Sequence, residues 1–207
     1  MNACRIILLC LCVGFISGTE AQTNLSTKKI NHRLYLLKSQ GVDTMICYSF
    51  YCAYVAPKPL TPNDSCLSSE THYVFWTLYG KAYKQRFDEC RNYPVLSVER
   101  SDFINRIRDS LNFIRKGAIL PVGHTEPSKD GKTSQYTTMS VDHTCSTDFE
   151  FIIGNETFRK EFSDFDLNTR YMDDDKTPND NYETNQKSIL KRLKDLAEKE
   201  TDKPGIR

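Results

Sequence analysis

Apolar and polar positions follow two different periods along this chain, and together these periods predict an α+β fold. Residues 44–55, TMICYSFYCAYV, are rich in aromatic and β-branched side chains, which is typical of a β-strand. Successive side chains of a strand point to opposite faces. Here the even-numbered set from Ile46 to Tyr54 and the odd-numbered set from Met45 to Val55 are both mostly apolar. We therefore predict a central strand that is covered on both faces.

Apolar residues three and four positions apart predict four helices. The segments are residues 27–40, followed by Gly41; residues 68–90; residues 101–117; and a C-terminal amphipathic helix with Ile189, Leu193 and Leu196. The second segment is ambiguous, because HYVFWTLYG alone is typical of a strand. Its apolar residues recur at steps of three and four as far as Cys90, so we favour a helix there.

The remaining segments predict further strands and a flexible connection. STDFEFIIGNETF, residues 146–158, predicts a hairpin that turns at Gly154-Asn155, and SQYTTMSVDH, residues 134–143, alternates in part. Residues 173–186, DDDKTPNDNYETNQ, are polar enough to predict a flexible linker. The chain thus divides into a globular domain at 22–172, this linker, and an amphipathic helix with a tail at 187–207.

The N-terminal residues predict secretion. Arg5 precedes an apolar run from Ile6 to Phe15, which suits a secretory signal and is shorter than the roughly 20 residues of a spanning helix. Small residues follow, and a cleavage site after Ala21 defines a predicted signal peptide at 1–21. No later stretch is apolar enough to span a bilayer. We expect a small single-domain secreted α+β protein with a mixed or antiparallel sheet and several helices.

Five cysteines follow the signal, and an oxidising compartment favours disulfides among them. They are Cys47, Cys52, Cys66, Cys90 and Cys145. We predict about two disulfides and one cysteine that is unpaired or links two chains into a dimer. Alternation sends Cys47 and Cys52 to opposite faces of the strand, so they are not expected to bond to each other. Cys90 and Cys145 are the better partners for one of them, and Cys66 is a further candidate for Cys90.

Three acceptor sequons agree with secretion. Asn24, Asn63 and Asn155 each begin an Asn-X-Ser/Thr triplet without proline in the middle. Asn63 lies in the proline-rich loop APKPLTPND and Asn155 in the predicted turn, so both are expected to be exposed. We predict a glycan on at least one of the three.

The charge balance argues against two classes of partner. The chain has 28 basic and 27 acidic residues, a net charge of +1. Such a balance gives no long-range attraction to nucleic acid or to anionic lipid, so we predict neither partner. Nothing in the sequence calls for a cofactor.

The residues that could carry catalysis form no complete set. His124 and His143, with Asp142 beside the latter, are the best candidates for a general acid–base pair. No histidine has the spacing of a recognised metal site.

The aromatic residues allow a second kind of site. Trp76, with Tyr48 and Phe50, is a candidate ligand-binding face. Aromatic residues in such runs more often form a core, and that is the competing interpretation.

FRKEFSDFDLNTRYMDDD, residues 158–175, resembles an EF-hand, with Phe158 on its entering helix. The loop positions one, three, five and twelve are held by Asp164, Asp166, Asn168 and Asp175. Thr169 replaces the glycine of the sharp turn, and Pro178 argues against the outgoing helix. The resemblance implies weak calcium contact at most.

These observations favour a secreted, disulfide-stapled glycoprotein that binds an extracellular protein or a small ligand. A secreted hydrolase or nuclease that uses His124 and His143 is the first alternative, and a calcium-modulated extracellular protein is the second.

Overall fold

The computed structural model describes residues 25–52, 70–91, 93–98, 102–172 and 176–201. In these ranges the helices are α1 (Leu25–Ser39), α2 (Asp102–Asp109), α3 (Leu111–Lys116), α4 (Asp164–Asn168), α5 (Tyr182–Lys187) and α6 (Ile189–Glu200). The strands are β1 (Thr44–Cys52), β2 (Glu70–Leu78), β3 (Lys81–Phe87), β4 (Leu96–Ser97), β5 (Val122–Pro127), β6 (Ser134–Met139), β7 (Cys145–Ile153) and β8 (Glu156–Ser163).

An antiparallel sheet of six strands, ordered β4-β3-β2-β1-β7-β8, forms the middle layer. β5 and β6 form a separate antiparallel ribbon. The predicted α+β class is confirmed, and the sheet is antiparallel. β1 pairs with β2 on one side and with β7 on the other, so the predicted central strand is also confirmed.

The alternation along β1 divides the core into two parts. Ile46 and Tyr48 lie on the face that packs against α2, α3, α4 and α6, which we call the helical face. Met45 and Cys47 lie on the face that packs against α1, the α1 face. The helical face buries a continuous set of rings from neighbouring strands, with Phe149 and Phe151 fully enclosed. Both faces of the central strand are therefore covered, as its composition predicts.

The segment expected to be a helix at 68–90 is a β-hairpin in its described part, and that prediction was wrong. β2 and β3 meet with Leu78 opposite Lys81, so Tyr79 and Gly80 form the turn. Both have positive φ, +50° and +74°, as a type I′ turn requires. The apolar residues of β2 fill consecutive positions because both faces of the sheet are covered, and such a run fits either period.

The predicted linker at 173–186 was also wrong over the residues that the structure describes. Residues 176–187 include the helix α5, and Asn179 and Asn185 are buried. The Asn185 side chain accepts from the Leu120 N–H at 2.9 Å and donates to the carbonyls of Leu120 and Asp166 at 2.8 and 2.9 Å. The polar composition of this segment supplies hydrogen bonds to backbone groups, so it belongs to the same domain as α6.

Other elements follow the sequence more closely. β7 and β8 form the predicted hairpin, with Gly154-Asn155 as its turn. The C-terminal helix places Leu190, Leu193 and Ala197 in the helical-face core. The helix predicted at 101–117 is broken at Ser110 into α2 and α3.

The cysteines divide as the strand alternation predicts. Cys52 bonds to Cys145, its register partner on β7, across a Cα–Cα distance of 3.9 Å. Cys47 is free and buried. Cys90 is also disulfide-bonded, but Cys66, the suggested partner, lies outside the described residues. One disulfide is therefore seen with both of its cysteines, where the sequence predicted about two.

Candidate functional site

The helical layer carries an open apolar groove on its outer side. It lies between α2–α3 and α6, and we call it the α2–α6 groove. Two adjoining cavities of about 300 and 480 Å³ share Ser110, Ile189 and Arg192 in their walls. The break between α2 and α3 at Ser110 therefore lies in the middle of the groove.

The floor and rim of the groove differ in chemistry. The floor is apolar and includes Ile114, Ile189 and Leu196. Phe113 stands at its side with 71% of its surface exposed. The charged residues of the two cavities are Arg106, Lys116, Arg192 and Asp109. Three cations against one anion give this rim a positive field around an apolar floor.

The groove is shallow at Gly117 because the backbone comes close to α6. A Cβ at this position would lie 2.8 Å from Ile189 Cγ2, so any larger residue would displace that side chain. The Gly117 carbonyl accepts from Lys160 Nζ at 2.8 Å, which ties the end of α3 to the sheet. These contacts fix the position of the floor relative to β8.

A polar cluster around His72 lies on the α1 face, on the other side of the sheet from the groove. His72 Nδ1 lies 2.7 Å from Ser49 Oγ, and Nε2 lies 3.2 Å from Glu70 Oε2 and 3.3 Å from Ser26 Oγ. Ser49 is directly opposite His72 in the β1–β2 register, and Ser26 is in the first turn of α1. The cluster thus connects α1 to two strands.

Burial controls the ionisation of this cluster. Only 14% of the His72 side chain is exposed, and this desolvation lowers the pKa of His72, against the opposing effect of Glu70. Asp148 lies opposite Ser49 on β7 and bonds to Arg159 Nε at 2.5 Å. Desolvation nevertheless raises the pKa of the Asp148 carboxyl.

His124, one of the predicted catalytic residues, is held by a carboxylate from another segment. Its Nδ1 lies 2.9 Å from Asp180 Oδ1, and this hydrogen bond lowers the pKa of Asp180. The sequence had placed Asp142 beside His143 as the partner carboxylate. In the ribbon His124 stands opposite Thr137, six residues before His143. Asp180 lies in the segment predicted to be a linker, so no pattern in the sequence pairs it with His124.

The aromatic candidates belong to the core. Trp76 is buried on the α1 face, where Arg33 lies 4.8 Å from its ring centroid. Tyr48 is buried on the helical face, 5.0 Å from the ring of Phe149. Phe50 packs at the edge of the same core. The core interpretation of these three residues therefore fits the structure.

The segment that resembles a calcium loop has a different structure. Residues 156–163, expected to include the entering helix, form β8, and a short α4 follows. Asp164 forms an ion pair with Lys194, and Asp166 accepts from the Val122 N–H at 3.1 Å. Asn168 ends α4, and Asp175 lies outside the described residues. Among the residues described, no group of three or more His, Cys, Asp or Glu side chains is arranged to hold a metal ion.

Several predictions concern residues that the structure does not describe. The signal peptide at 1–21 and the sequons at Asn24 and Asn63 are among them. Asn155 is described, and it is exposed in the β7–β8 turn. In the described ranges, every helix is too short or too polar to cross a membrane.

Comparison with known proteins gives no further assignment. No family model matches this chain, and neither a curated protein nor a solved structure is detectably similar to it.

Proposed function

We propose that the protein is a secreted extracellular binding protein that takes an apolar, negatively charged ligand in the α2–α6 groove. The observation that carries this proposal is the open apolar floor beneath a mainly cationic rim. Its cavities have the size of small-molecule sites, about 300 to 1,000 Å³. An exposed apolar surface next to charged residues is typical of interaction sites.

Charge selects the ligand class. Arg192 contributes to both cavities and is exposed, so it can meet an anionic group without a large desolvation penalty. Phe113 offers an exposed ring for the apolar part of the ligand. A fatty carboxylate combines both features in one molecule.

The test is calorimetric titration of the protein with dodecanoate and with its uncharged methyl ester. We expect saturable binding of dodecanoate and weaker binding of the ester. Phe113→Ala should weaken dodecanoate binding by about 5- to 30-fold, from the apolar area lost. Arg192→Glu should weaken it by about 5-fold and leave binding of the ester nearly unchanged.

Two matched controls come from α1, on the opposite side of the sheet. Tyr35 is 70% exposed, nearly the same fraction as Phe113, and Lys38 is an exposed cation. Tyr35→Ala and Lys38→Glu should leave both affinities unchanged. Equal losses in the control variants, or no saturable binding of either probe, would reject the groove as the site.

Secretion and glycosylation complete the proposal, and the exposed Asn155 supports them. A secretory host should release a chain that begins near Gln22 and loses mass on treatment with an N-glycosidase. Asn155→Gln should remove one glycan. A cytosolic product that retains Met1 would contradict this part of the proposal.

A secreted hydrolase is the second candidate, and the His124–Asp180 contact favours it. A carboxylate on Nδ1 orients the imidazole and leaves Nε2 to exchange a proton. A hydrolytic rate that is lost in His124→Ala or His143→Ala, with the fold intact, would support this candidate. Calcium modulation has no comparable support, because Asp164 and Asp166 are engaged within the protein.

A further inference from the structure

The β5–β6 ribbon is separate from the main sheet, and its two edges differ in their hydrogen bonding. The outer edge of β5 is covered by the loop before α5. Gly123 N–H donates to Asn179 Oδ1 at 3.2 Å, Thr125 N–H donates to Asp180 Oδ2 at 2.8 Å, and Asp180 N–H donates to the Gly123 carbonyl at 2.9 Å. Three outward backbone groups of this edge are therefore satisfied within the chain.

The same contacts fix the direction of the backbone groups on β6. The backbone N–H groups of Gly123 and Thr125 point away from β6. The backbone N–H and C=O groups of the intervening His124 therefore point towards β6 and form the hydrogen-bonded pair with Thr137. Tyr136 and Thr138, on either side of Thr137, therefore direct their N–H and C=O groups away from β5. They form an open edge, and in the described part of the chain no backbone hydrogen bond satisfies it.

The β6 edge also lacks the features that protect other edges. The residues SQYTTM include no charge and no proline, and all but Met139 are exposed. At the edges of the main sheet, β4 has two residues and β8 carries Arg159, Lys160 and Glu161. Short or charged edges resist pairing with another chain, whereas an uncharged, exposed edge rich in Tyr and Thr invites it.

We propose that β6 is a homodimerisation edge, which pairs antiparallel with β6 of a second copy of this chain. With Tyr136 opposite Tyr136 of the partner subunit, Ser134 faces Thr138 of the partner subunit. The outward groups of the three residues are then all paired, and the two ribbons form one four-stranded sheet. A two-fold axis makes the surface self-complementary, as isologous dimers require.

The charges beside β6 are compatible with a second copy of this chain as the partner. Lys132 precedes β6 and Asp142 follows it. Antiparallel pairing brings the Lys132 end of one strand to the Asp142 end of the other, where opposite charges attract. The six strand residues carry no charge, so a second copy meets no like charge along the strand; beyond it Lys132 faces Ser140 of the partner subunit, diagonal to Asp142 of the partner subunit, and Asp142 faces Asp130 of the partner subunit.

The test measures the mass of the full secreted chain by sedimentation over a range of concentrations, together with amide hydrogen exchange. We expect a concentration-dependent dimer. The amides of Tyr136 and Thr138 should gain protection as the dimer forms, whereas that of Thr137, bonded to β5, should be protected at every concentration.

Two variants of one residue test the edge directly. Thr138→Pro removes an outward N–H and leaves the β5–β6 hydrogen bonds of Thr137 and Met139 in place, and Thr138→Lys adds a charge to the edge. Each should raise the dimer dissociation constant by at least about 10-fold. Thr184→Lys adds the same charge to an exposed threonine of α5 and should leave the constant unchanged.

The proposal would be overturned by a monomer at all concentrations, by a dimer that is unaffected by both Thr138 variants, or by a dimer whose formation leaves the exchange of Tyr136 and Thr138 unchanged. A dimer that keeps twice the chain mass in denaturing, non-reducing electrophoresis would also reject it, because a disulfide would then hold the two chains together.

Discussion

The two faces of the sheet are covered in different ways, although they share every central strand. The helical face packs against four helices and is closed below the groove by apolar side chains such as Phe103, Phe149 and Leu167. The α1 face has a smaller apolar cluster around Trp76 under one helix, and it continues into the polar cluster of His72. Apolar contacts dominate the first layer, although Lys160 also ties the end of α3 to the sheet through the Gly117 carbonyl. The second layer has a smaller apolar part and depends more on hydrogen bonds between the sheet and α1.

This difference determines how each face responds to damage. A helix that is held by several neighbours cannot move into a cavity, so a lost side chain costs more free energy there. A single helix can shift towards the sheet and close part of the space. The cost of a large-to-small substitution depends on such collapse.

The largest effect is expected from the disulfide, which lies at the end of the helical face. Cys52 and Cys145 are 93 residues apart. Replacing both with Ala should lower the free energy of unfolding by about 4 to 5 kcal/mol by the loop-entropy estimate. Cys47→Ala, on the α1 face, should cost about 1 kcal/mol. Urea unfolding measures both values, and equal losses would contradict this account.

Matched leucines compare the two faces directly. Leu190 on α6 and Leu37 on α1 are both almost fully buried. Leu190→Ala should lower the free energy of unfolding by about 4 kcal/mol and Leu37→Ala by about 3 kcal/mol. The order of the two values in denaturant titrations is the test, and a larger loss at Leu37 would show that α1 is the less adaptable layer.

The amide network beside the helical face should give a smaller loss. Asn185→Ala leaves the Leu120 N–H and two carbonyls without their partner, so we expect a loss of about 2 to 3 kcal/mol. Thr184→Ala, at the exposed neighbouring position, should change stability by less than about 0.5 kcal/mol. Thermal unfolding of the two variants separates these outcomes.

The smallest effect is a pH dependence confined to the α1 face. Because burial lowers the pKa of His72, the unfolded chain binds the proton more readily, and stability falls as the pH drops below 6.5. Each pKa unit by which folding lowers the pKa of His72 corresponds to about 1.4 kcal/mol of unfolding free energy. His72→Gln should make the unfolding free energy less dependent on pH in this range. A variant that loses stability as steeply as the wild type would exclude His72 as the cause.

The neighbouring charges set the limits of that measurement. The groups that act on His72 are Glu70, Asp148 and Asp88. The pKa of Asp148 is raised, so the folded chain holds this proton more tightly than the unfolded chain. Its contribution to the unfolding free energy is therefore present at low pH and is lost as the pH rises and the carboxyl ionises, opposite to that of His72. Comparison of His72→Gln with wild type at each pH removes this shared contribution.

The sequence predicted those features that depend on a local period. The two apolar faces of β1, the hairpin turn at Gly154-Asn155 and the final helix all follow from residue alternation or spacing. The β2–β3 hairpin did not, because a strand that is covered on both faces has no alternation to detect. The segment around Asn185 was misassigned because composition does not show that a polar side chain is used inside the protein.

The candidate site could not be predicted, because its parts come together only in the folded chain. Phe113 and Arg192 are 79 positions apart and lie on different helices. In the sequence each is one ordinary residue of an amphipathic helix. The opposing orientation of Cys47 and Cys52, by contrast, follows from the alternation of one strand.

Cys47 gives the molecule a built-in kinetic reporter. Burial raises the pKa of this thiol, and it lies beneath α1, so an alkylating reagent can reach it only when the helix separates from the sheet. The rate of labelling under native conditions therefore counts these openings. At low reagent concentration the helix closes again before most thiols react, so the labelling rate reports the equilibrium between closed and open states. At high reagent concentration every opening leads to labelling, so the rate equals the opening rate. Local detachment of one layer can thus be timed separately from global unfolding.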